Sequence, residues 1–218
     1  MSFEVNGAAT AVPRLLGLRH AEPPLGDHRM GQEDAVKAEN EAIKALIAKG
    51  RAGEAVERAI RNAEMAATQS DALEGNCAFT LGRAAHESGQ HRLAVVAYTR
   101  ALEKSTLLRN AHACASIHFS MATAFLEMPD GDRQQNLELA ILNHLGALGM
   151  LTEASRPVDY ASVQYNMGYA YAELASRFGK PVRNEARHCF ENALQAFRRL
   201  GMPADARKAQ DALRALDS

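Results

Sequence analysis

The amino-acid sequence predicts an all-α protein in which helical hairpins stack one on the next as an α-solenoid. Long segments rich in Ala, Leu, Glu and Arg are broken by single Gly or Pro residues, which is the pattern of helices joined by short turns. No segment in the body of the chain alternates apolar and polar residues as a strand would. The spacing of small and apolar residues that marks a pair of packed helices also recurs along the chain. The 218 residues are enough for one domain or two small ones.

The clearest hairpin lies between residues 78 and 101. Small and apolar residues share one face of a first helix and then one face of a second: Ala78, Leu81, Gly82 and Ala85, followed by Ala94, Tyr98 and Ala101. Gly89 falls between the two sets and is predicted to end the first helix. Because Gly82 and Ala94 are small, the helices can approach closely, and Tyr98 fills the space beside them. The stretch therefore predicts a close-packed hairpin.

The same spacing recurs in three further units. The third and fourth contain Met121, Ala122 and Phe125 with Ala140, His144 and Ala147, then Met167, Gly168 and Tyr171 with Ala186, Phe190 and Ala193. A fainter first unit contains Ala42, Ile43 and Leu46, turns at Gly50 and continues through Ala55 and Ala59. From Ala85 to Ala94 is nine residues, whereas Phe125 to Ala140 and Tyr171 to Ala186 are fifteen, which predicts a shared six-residue insertion at the helix–helix turn. Residues 204–216 are predicted to form the terminal helix that a solenoid needs.

This spacing resembles the tetratricopeptide repeat (TPR), which pairs a Leu-Gly-aromatic first helix with an Ala/aromatic second helix at these intervals. Two segments, GDRQQNLELAI (131–141) and PVDYASVQYNMGYAY (157–171), resemble the longer TPR repeats of bacterial multi-repeat proteins. The resemblance covers about residues 35–216 at the level of the repeat and about 110–195 at the narrower level. It implies an α-solenoid of about four TPR-like helical hairpins plus a C-terminal capping helix. It implies a style of binding and no particular ligand.

Residues 1–31 differ from the rest of the chain. Residues 11–31 contain three Pro and three Gly and show little periodicity, so 1–31 is predicted to be an extended or mobile N-terminal arm and 32–218 the TPR-like repeat domain. The one apolar element of the arm is Pro13–Leu18. Two interpretations stay open: a disordered tail, and a strap that packs on the helical body or on a neighbouring subunit.

Charge and cysteine content narrow the class of partner. The formal net charge of −1 argues against a dedicated nucleic-acid binder or a protein of anionic membranes. Cys77, Cys114 and Cys189 are odd in number and far apart, so we expect no disulfide framework and a reducing compartment. Neither a signal peptide nor a membrane span is expected. The expected location is cytoplasmic.

Catalytic and metal motifs are weak. HESGQH (86–91) resembles the zinc-peptidase motif His-Glu-x-x-His, but the second His is one residue too far along and Gly89 interrupts the helix. Cys114 and His118 are four apart, yet two ligands are too few, and His118 and His144 both occupy aromatic packing positions of the third unit. There is no Gly-rich phosphate loop or nucleophile elbow. We expect no enzyme, no cofactor and no metal.

The remaining candidate site is a surface. Stacked hairpins form a concave groove lined by the first helix of each pair, on the face that avoids the packing stripe. That face is predicted to carry Lys37, Asn40 and Lys44, then Asn76, Phe79, Arg83 and His86, then Ser116, Phe119 and Thr123, then Ser162, Tyr165, Asn166 and Tyr169. Phe79, Phe119 and Tyr165 are equivalent positions, each two residues before the Leu or Met of the stripe.

The mixture of rings, amides and cations fits a non-catalytic scaffold or adaptor that holds a peptide, a helix or a partner protein. The Lys/Asn/Arg set of the TPR carboxylate clamp is not reproduced. Two alternatives stay open. One is a self-assembling structural subunit, a homo-oligomer whose N-terminal arm docks on a neighbour. The other is a regulator whose groove senses a small ligand or a signalling peptide.

Overall fold

A computed structural model of the chain describes residues 28–217, and residues 28–217 are helical with short connections and no strand. The predicted all-α class is therefore confirmed. In chain order the described helices are α1 (His28–Ala48), α2 (Ala52–Ala66), α3 (Asp71–Glu87), α4 (His91–Leu107), α5 (Ala111–Glu127), α6 (Arg133–Leu148), α7 (Pro157–Phe178), α8 (Arg183–Arg199) and α9 (Pro203–Asp217). Most of the predicted arm, including Pro13–Leu18, lies outside the described residues. Residues 28–31 belong to α1.

The helices form two compact units that divide after Asn110. In unit 1, α1 packs on α2, α2 on α3 and α3 on α4. In unit 2, α5 packs on α6, α6 on α7, α7 on α8 and α8 on α9. The pairs α1–α2, α3–α4, α5–α6 and α7–α8 are the four predicted hairpins, and α9 is the predicted terminal helix. Sequential stacking of hairpins within each unit is the packing mode of an α-solenoid.

Glycine allows the two helices of a hairpin to approach closely. A Cβ atom at Gly82 would lie 2.5 Å from Cε1 of Tyr98, and one at Gly168 would lie 2.8 Å from Cδ1 of Phe190. Both rings are almost fully buried. The ring of the second helix therefore rests directly on the backbone of the first, as the spacing predicts for Gly82 and Tyr98.

The six extra residues of the third and fourth hairpins are present, but most of them extend helices and do not lengthen the turn in which they are predicted to lie. In the third hairpin the extra residues lie mainly at the start of the second helix. The helix α6 begins seven residues before Ala140, whereas α4 begins only three residues before the equivalent Ala94, and the loop before α6 is two residues longer than the loop before α4. In the fourth hairpin α7 continues seven residues past Tyr171, where α3 continues two past Ala85, and the loop gains one. Most of the extra chain is helix, because an added turn of helix satisfies its own backbone hydrogen bonds and a longer loop does not.

The segment 131–141 holds the start of α6 in place. Asp132 caps the helix by accepting a hydrogen bond from the Gln135 amide at 3.2 Å. Asn136 donates to the carbonyl of Asp130 at 2.9 Å. Arg133 donates to both carboxylate oxygens of Glu173 on α7, at 2.8 and 2.7 Å. The hydrogen bond from Arg133 holds the pKa of Glu173 below its usual value. These motif residues are accounted for by structure alone.

None of the described helices is both long and apolar enough to cross a membrane.

Candidate functional site

In unit 1 the predicted site residues of α3 share one face of that helix. Asn76, Phe79, Arg83 and His86 recur at intervals of three or four residues, and each is at least partly exposed. Arg83 is exposed and makes no hydrogen bond or ion pair with any other described residue. This face of α3 therefore offers a cation with unused hydrogen-bonding capacity beside a half-buried ring.

On α1 the structure separates the predicted residues. Lys37 pairs with Glu33 at 3.4 Å and Lys44 with Glu41 at 2.7 Å, and both remain solvated. Asn40 is 5% exposed and corrects the prediction that it lines an open groove. Its position explains the burial, since it lies one turn from Val36 and Ile43 on the core face of α1. Its side-chain oxygen has no hydrogen-bond partner among the described residues.

In unit 2 the predicted residues of α5 and α7 are at least partly exposed. They are Ser116, Phe119 and Thr123 on α5, and Ser162, Tyr165, Asn166 and Tyr169 on α7. Tyr169 is the most open of the predicted rings, with 51% of the residue exposed. Thr123 and Ser162 turn their hydroxyl groups back to carbonyls of their own helices, so as donors they are already used.

The three equivalent rings have a structural role that the sequence argument gave to other residues. Each packs on the aromatic residue of the second helix in its own hairpin. The centroid distances are 5.6 Å for Phe79–Tyr98, 6.0 Å for Phe119–His144 and 5.7 Å for Tyr165–Phe190. Such pairs stabilise beyond the area they bury. The rings are half-buried, so one part of each supports the hairpin and the other part stays available.

A cavity of about 120 Å³ opens beside Phe119 in unit 2. We call it the α5–α7 cavity. One wall is α5, through Ala115, Ser116, Phe119 and Ser120. The opposite wall is the α6–α7 loop and the first turn of α7, through Leu151, Arg156 and Asp159. Ala115 and Leu151 are buried and form an apolar floor.

The polar residues at the rim of the α5–α7 cavity interact with one another. Nε of Arg156 pairs with Oδ2 of Asp159. Nη1 of Arg156 points to the hydroxyl of Ser116 at 3.4 Å, a long contact. The hydroxyl of Ser120 donates to the carbonyl of Ser116 at 3.0 Å. The side chains of Arg156 and Asp159 remain 35% and 38% exposed, so a ligand can reach both.

The histidines and cysteines are mostly parts of the packing. Nδ1 of His118 lies 3.0 Å from Oδ1 of Asn143, and its ring covers Gly146. His144 is fully buried, and burial lowers its pKa to about 4. Burial raises the pKa of the Cys77 and Cys189 thiols to about 11, which leaves them protonated and unreactive at neutral pH.

The rings of His86 and His91 meet edge to face, with centroids 5.4 Å apart. The spacing of HESGQH does not fit a zinc-peptidase motif on one helix. The structure shows that the α3–α4 turn brings the two rings together all the same.

Sequence reasoning missed Ser120, Arg156 and Asp159. Arg156 lies just before α7 begins, and Ser120 on α5 and Asp159 on α7 are first-helix residues outside the face that was predicted to line the groove. A signal was present, because Arg156-Pro157-Val158-Asp159 places a cation and a carboxylate three residues apart around a proline that starts a helix.

The fold defines the class: a helical-repeat, all-α protein in which the described first helices of each unit carry partly exposed polar and aromatic residues. No protein-family model matches the chain, and none of the curated proteins matches it either. Among solved structures, the crystal structure of BtubC (BKLC) from P. vanneervenii is similar. Its TM-score is 0.54 at 15% sequence identity, and the match covers 98% of this chain and 89% of that one. At that identity the likeness concerns the fold.

Proposed function

We propose that this protein is a non-catalytic scaffold or adaptor of the TPR type, which binds an extended peptide or a helix of a partner protein through its first-helix faces. One observation carries the proposal: equivalent aromatic residues on successive first helices stay partly exposed beside polar groups that the fold leaves unused. In unit 1 the ring is Phe79 and the unused polar group is Arg83. In unit 2 the rings are Phe119 and Tyr165, and the side chain of Asn166 makes no hydrogen bond with any other described residue. Exposed rings set among polar groups are typical of protein-binding surfaces.

The chemistry of these residues suits a peptide. Rings take up side chains of the partner, amides such as Asn76 and Asn166 bond its backbone, and the guanidinium of Arg83 can meet a carboxylate. Because Arg83 has no competing partner among the described residues, no existing ion pair must break before it binds one.

The non-catalytic part of the proposal is supported by the state of the most reactive side chains. Cys77 and Cys189 are held as thiols, and His144 is fully buried. The proposed cytoplasmic location is supported by Cys77, Cys114 and Cys189, which are buried and form no disulfide. The likeness to BtubC is compatible with a helical scaffold and supplies no partner.

The test is selection of peptides from a random display library on the full chain, followed by affinity measurement on the variants. Phe79→Ala and Phe119→Ala should each weaken the peptides that contact their unit by about thirty-fold, the worth of a buried aromatic anchor. Leu142→Ala is the matched control, because Leu142 is an apolar residue, 63% exposed, on the second helix of the α5–α6 hairpin. The proposal fails if no peptide is enriched, or if Leu142→Ala weakens binding as much as the ring variants do.

Thermal unfolding separates lost binding from lost folding. Leu81 is 1% exposed and Phe79 is half-buried, so Leu81→Ala should destabilise unit 1 more than Phe79→Ala. If the two variants unfold alike, Phe79 serves the core and the proposed surface loses its main anchor.

A further inference from the structure

We infer that the α5–α7 cavity is a subsite for a primary amide, the side chain of a Gln or Asn in the bound peptide. This inference rests on the proposed function, since it names the chemistry that one part of the peptide-binding surface would read. It follows from the size of the cavity, from the hydrogen-bonding groups that its rim leaves unused and from the charge of that rim.

The size of the cavity selects a single side chain. Sites for small organic ligands usually enclose about 300–1,000 Å³. The α5–α7 cavity, at about 120 Å³, is well below that range and has room for one side chain of medium length. Its floor of Ala115 and Leu151 and the ring of Phe119 would pack on the methylene groups of that side chain.

The rim leaves both a donor and an acceptor unused. Arg156 pairs with Asp159 through Nε and donates one Nη1 hydrogen to Ser116, whereas its Nη2 has no acceptor among the described residues. Asp159 uses Oδ2 for Arg156, and Oδ1 accepts from no other described residue. A primary amide has one carbonyl acceptor and two N–H donors, so it can satisfy both groups at once.

The charge of the rim argues against the other side chains of that size. Arg156 and Asp159 neutralise each other, so the cavity offers hydrogen bonds with little net charge. A carboxylate could accept from Arg156, but it would face the unshared oxygen of Asp159. An ammonium would face the guanidinium of Arg156. An aliphatic side chain would fill the space and cover the free N–H and oxygen without bonding them, which costs binding energy.

The experiment uses the full chain and three pentapeptides, acetyl-Gly-Ala-X-Ala-Gly-N-methylamide, with X as Gln, Glu or Leu, so that the Gln side chain is the only primary amide in the set. The readout is the Leu151 methyl signal in leucine-labelled protein, because Leu151 lines the cavity. We expect the Gln peptide to shift this signal saturably and to bind about ten-fold more tightly than the Glu or Leu peptide, the worth of one or two additional hydrogen bonds. Equal affinity of the three peptides would overturn the inference.

Asp159→Asn tests the same point by reversal. The change removes the negative charge and leaves Arg156 unbalanced, so the Glu peptide should now bind at least as well as the Gln peptide. Asp211→Asn is the matched control: Asp211 also pairs with an Arg three residues away, Arg214 on α9, and does not line the cavity. It should leave the Gln preference unchanged. A Gln preference that survives Asp159→Asn in a protein of normal thermal stability would contradict the inference.

The outcomes keep the two proposals apart. If library-selected peptides bind through Phe79 or Phe119 while the Gln, Glu and Leu peptides are not distinguished, the scaffold function stands and the amide subsite falls. If no peptide of any sequence binds but free acetyl-glutamine-N-methylamide still shifts the Leu151 signal, recognition of a primary amide by the cavity stands, whereas its place in a bound peptide and the scaffold function both fall.

Discussion

The α3–α4 hairpin of unit 1 and the α5–α6 hairpin of unit 2 solve the same packing problem with different pairs of residues. In α3–α4 the first helix has Gly82 and the second has Tyr98, a large ring that rests on the glycine. At the equivalent positions of α5–α6 stand Ala122 and His144, both fully buried. A methyl group has been added on one side, and the smaller imidazole replaces the phenol ring on the other.

The other two hairpins extend the comparison. The α7–α8 hairpin has Gly168 under Phe190, and the α1–α2 hairpin has Ile43 opposite Ala59 at the equivalent positions. Across all four hairpins a larger residue on one helix accompanies a smaller one on the other. Cores tolerate exchanges that conserve volume. The repeat is therefore specified by the combined volume of the pair more than by either residue.

The largest effect is expected from breaking the pair in unit 1. Gly82→Leu should cost about 3 kcal/mol or more, because even a Cβ atom would overlap the Tyr98 ring and a leucine cannot be placed without separating the helices. Gly168→Leu should act in the same way in unit 2 through Phe190. Denaturant titration measures both.

Ala45→Leu, on the exposed side of α1, is the control and should change stability by less than about 0.5 kcal/mol. If the unfolding midpoints of both glycine variants match that of the wild type, the pairing argument is wrong.

Much of this architecture could be read from the sequence, because small residues at helical spacing leave a direct trace. Gly82, Gly89 and Gly168 predicted two close approaches and one turn, and the structure confirms them. The site could be read less well. Burial of Asn40 depends on which face of α1 meets α2 and α3, and the polar residue gives no sign of it. The half-burial of Phe79, Phe119 and Tyr165 depends on ring partners in the second helices.

The α5–α7 cavity could not be predicted from periodicity at all. Arg156 lies outside the helices whose faces the periodicity describes, and its approach to Ser116 joins residues forty positions apart. The equal spacing of the third and fourth units was misleading for a related reason. One adds helix before Ala140 and the other after Tyr171, and residue counts alone cannot distinguish the two.

The buried imidazole of His144 in unit 2 should make the stability of the fold depend on pH. His144 has a folded pKa of about 4, below its ordinary value, because burial disfavours the charged form. Between pH 6.5 and 4 the unfolded chain therefore binds a proton that the folded chain does not. The stabilising contribution is present in full above pH 6.5 and is lost as the pH falls through that window. The loss from pH 7 to pH 5 should be on the order of 2 kcal/mol.

Restoring the pair of the fourth hairpin tests this explanation. The double variant Ala122→Gly with His144→Phe copies Gly168 and Phe190, and it removes two buried ring nitrogens that have no hydrogen-bond partner among the described residues. Its free energy of unfolding should fall less between pH 7 and pH 5 than that of the wild type, by the same 2 kcal/mol or so. His188→Phe, at an exposed position of α8, should keep the pH dependence of the wild type. Parallel stability curves for the wild type and the double variant would exclude His144 as the cause.

The smallest effect on stability is expected at the C-terminal ends of two helices in unit 1. The helices α3 and α4 end in the same hydrogen-bonded turn: Gln90 and Gly89 donate to Ala85 and His86 at 2.8 and 2.9 Å, and Asn110 and Arg109 donate to Ser105 and Thr106 at 2.9 and 3.0 Å. The residue with positive φ is Gly89 in one, at 77°, and Arg109 in the other, at 53°. A side chain in this left-handed region is strained, whereas glycine adopts it freely.

Arg109→Gly should therefore stabilise the protein by about 0.5–1 kcal/mol, and Gly89→Ala should destabilise it by a similar amount. Chemical denaturation of both variants measures the difference. Arg207→Gly, at an exposed position inside α9, controls for the loss of an arginine and should cost about 1 kcal/mol, because glycine is unfavourable inside a helix. If Arg109→Gly destabilises as Arg207→Gly does, the positive φ of Arg109 carries no strain that glycine relieves, and the two helix ends of unit 1 are not equivalent.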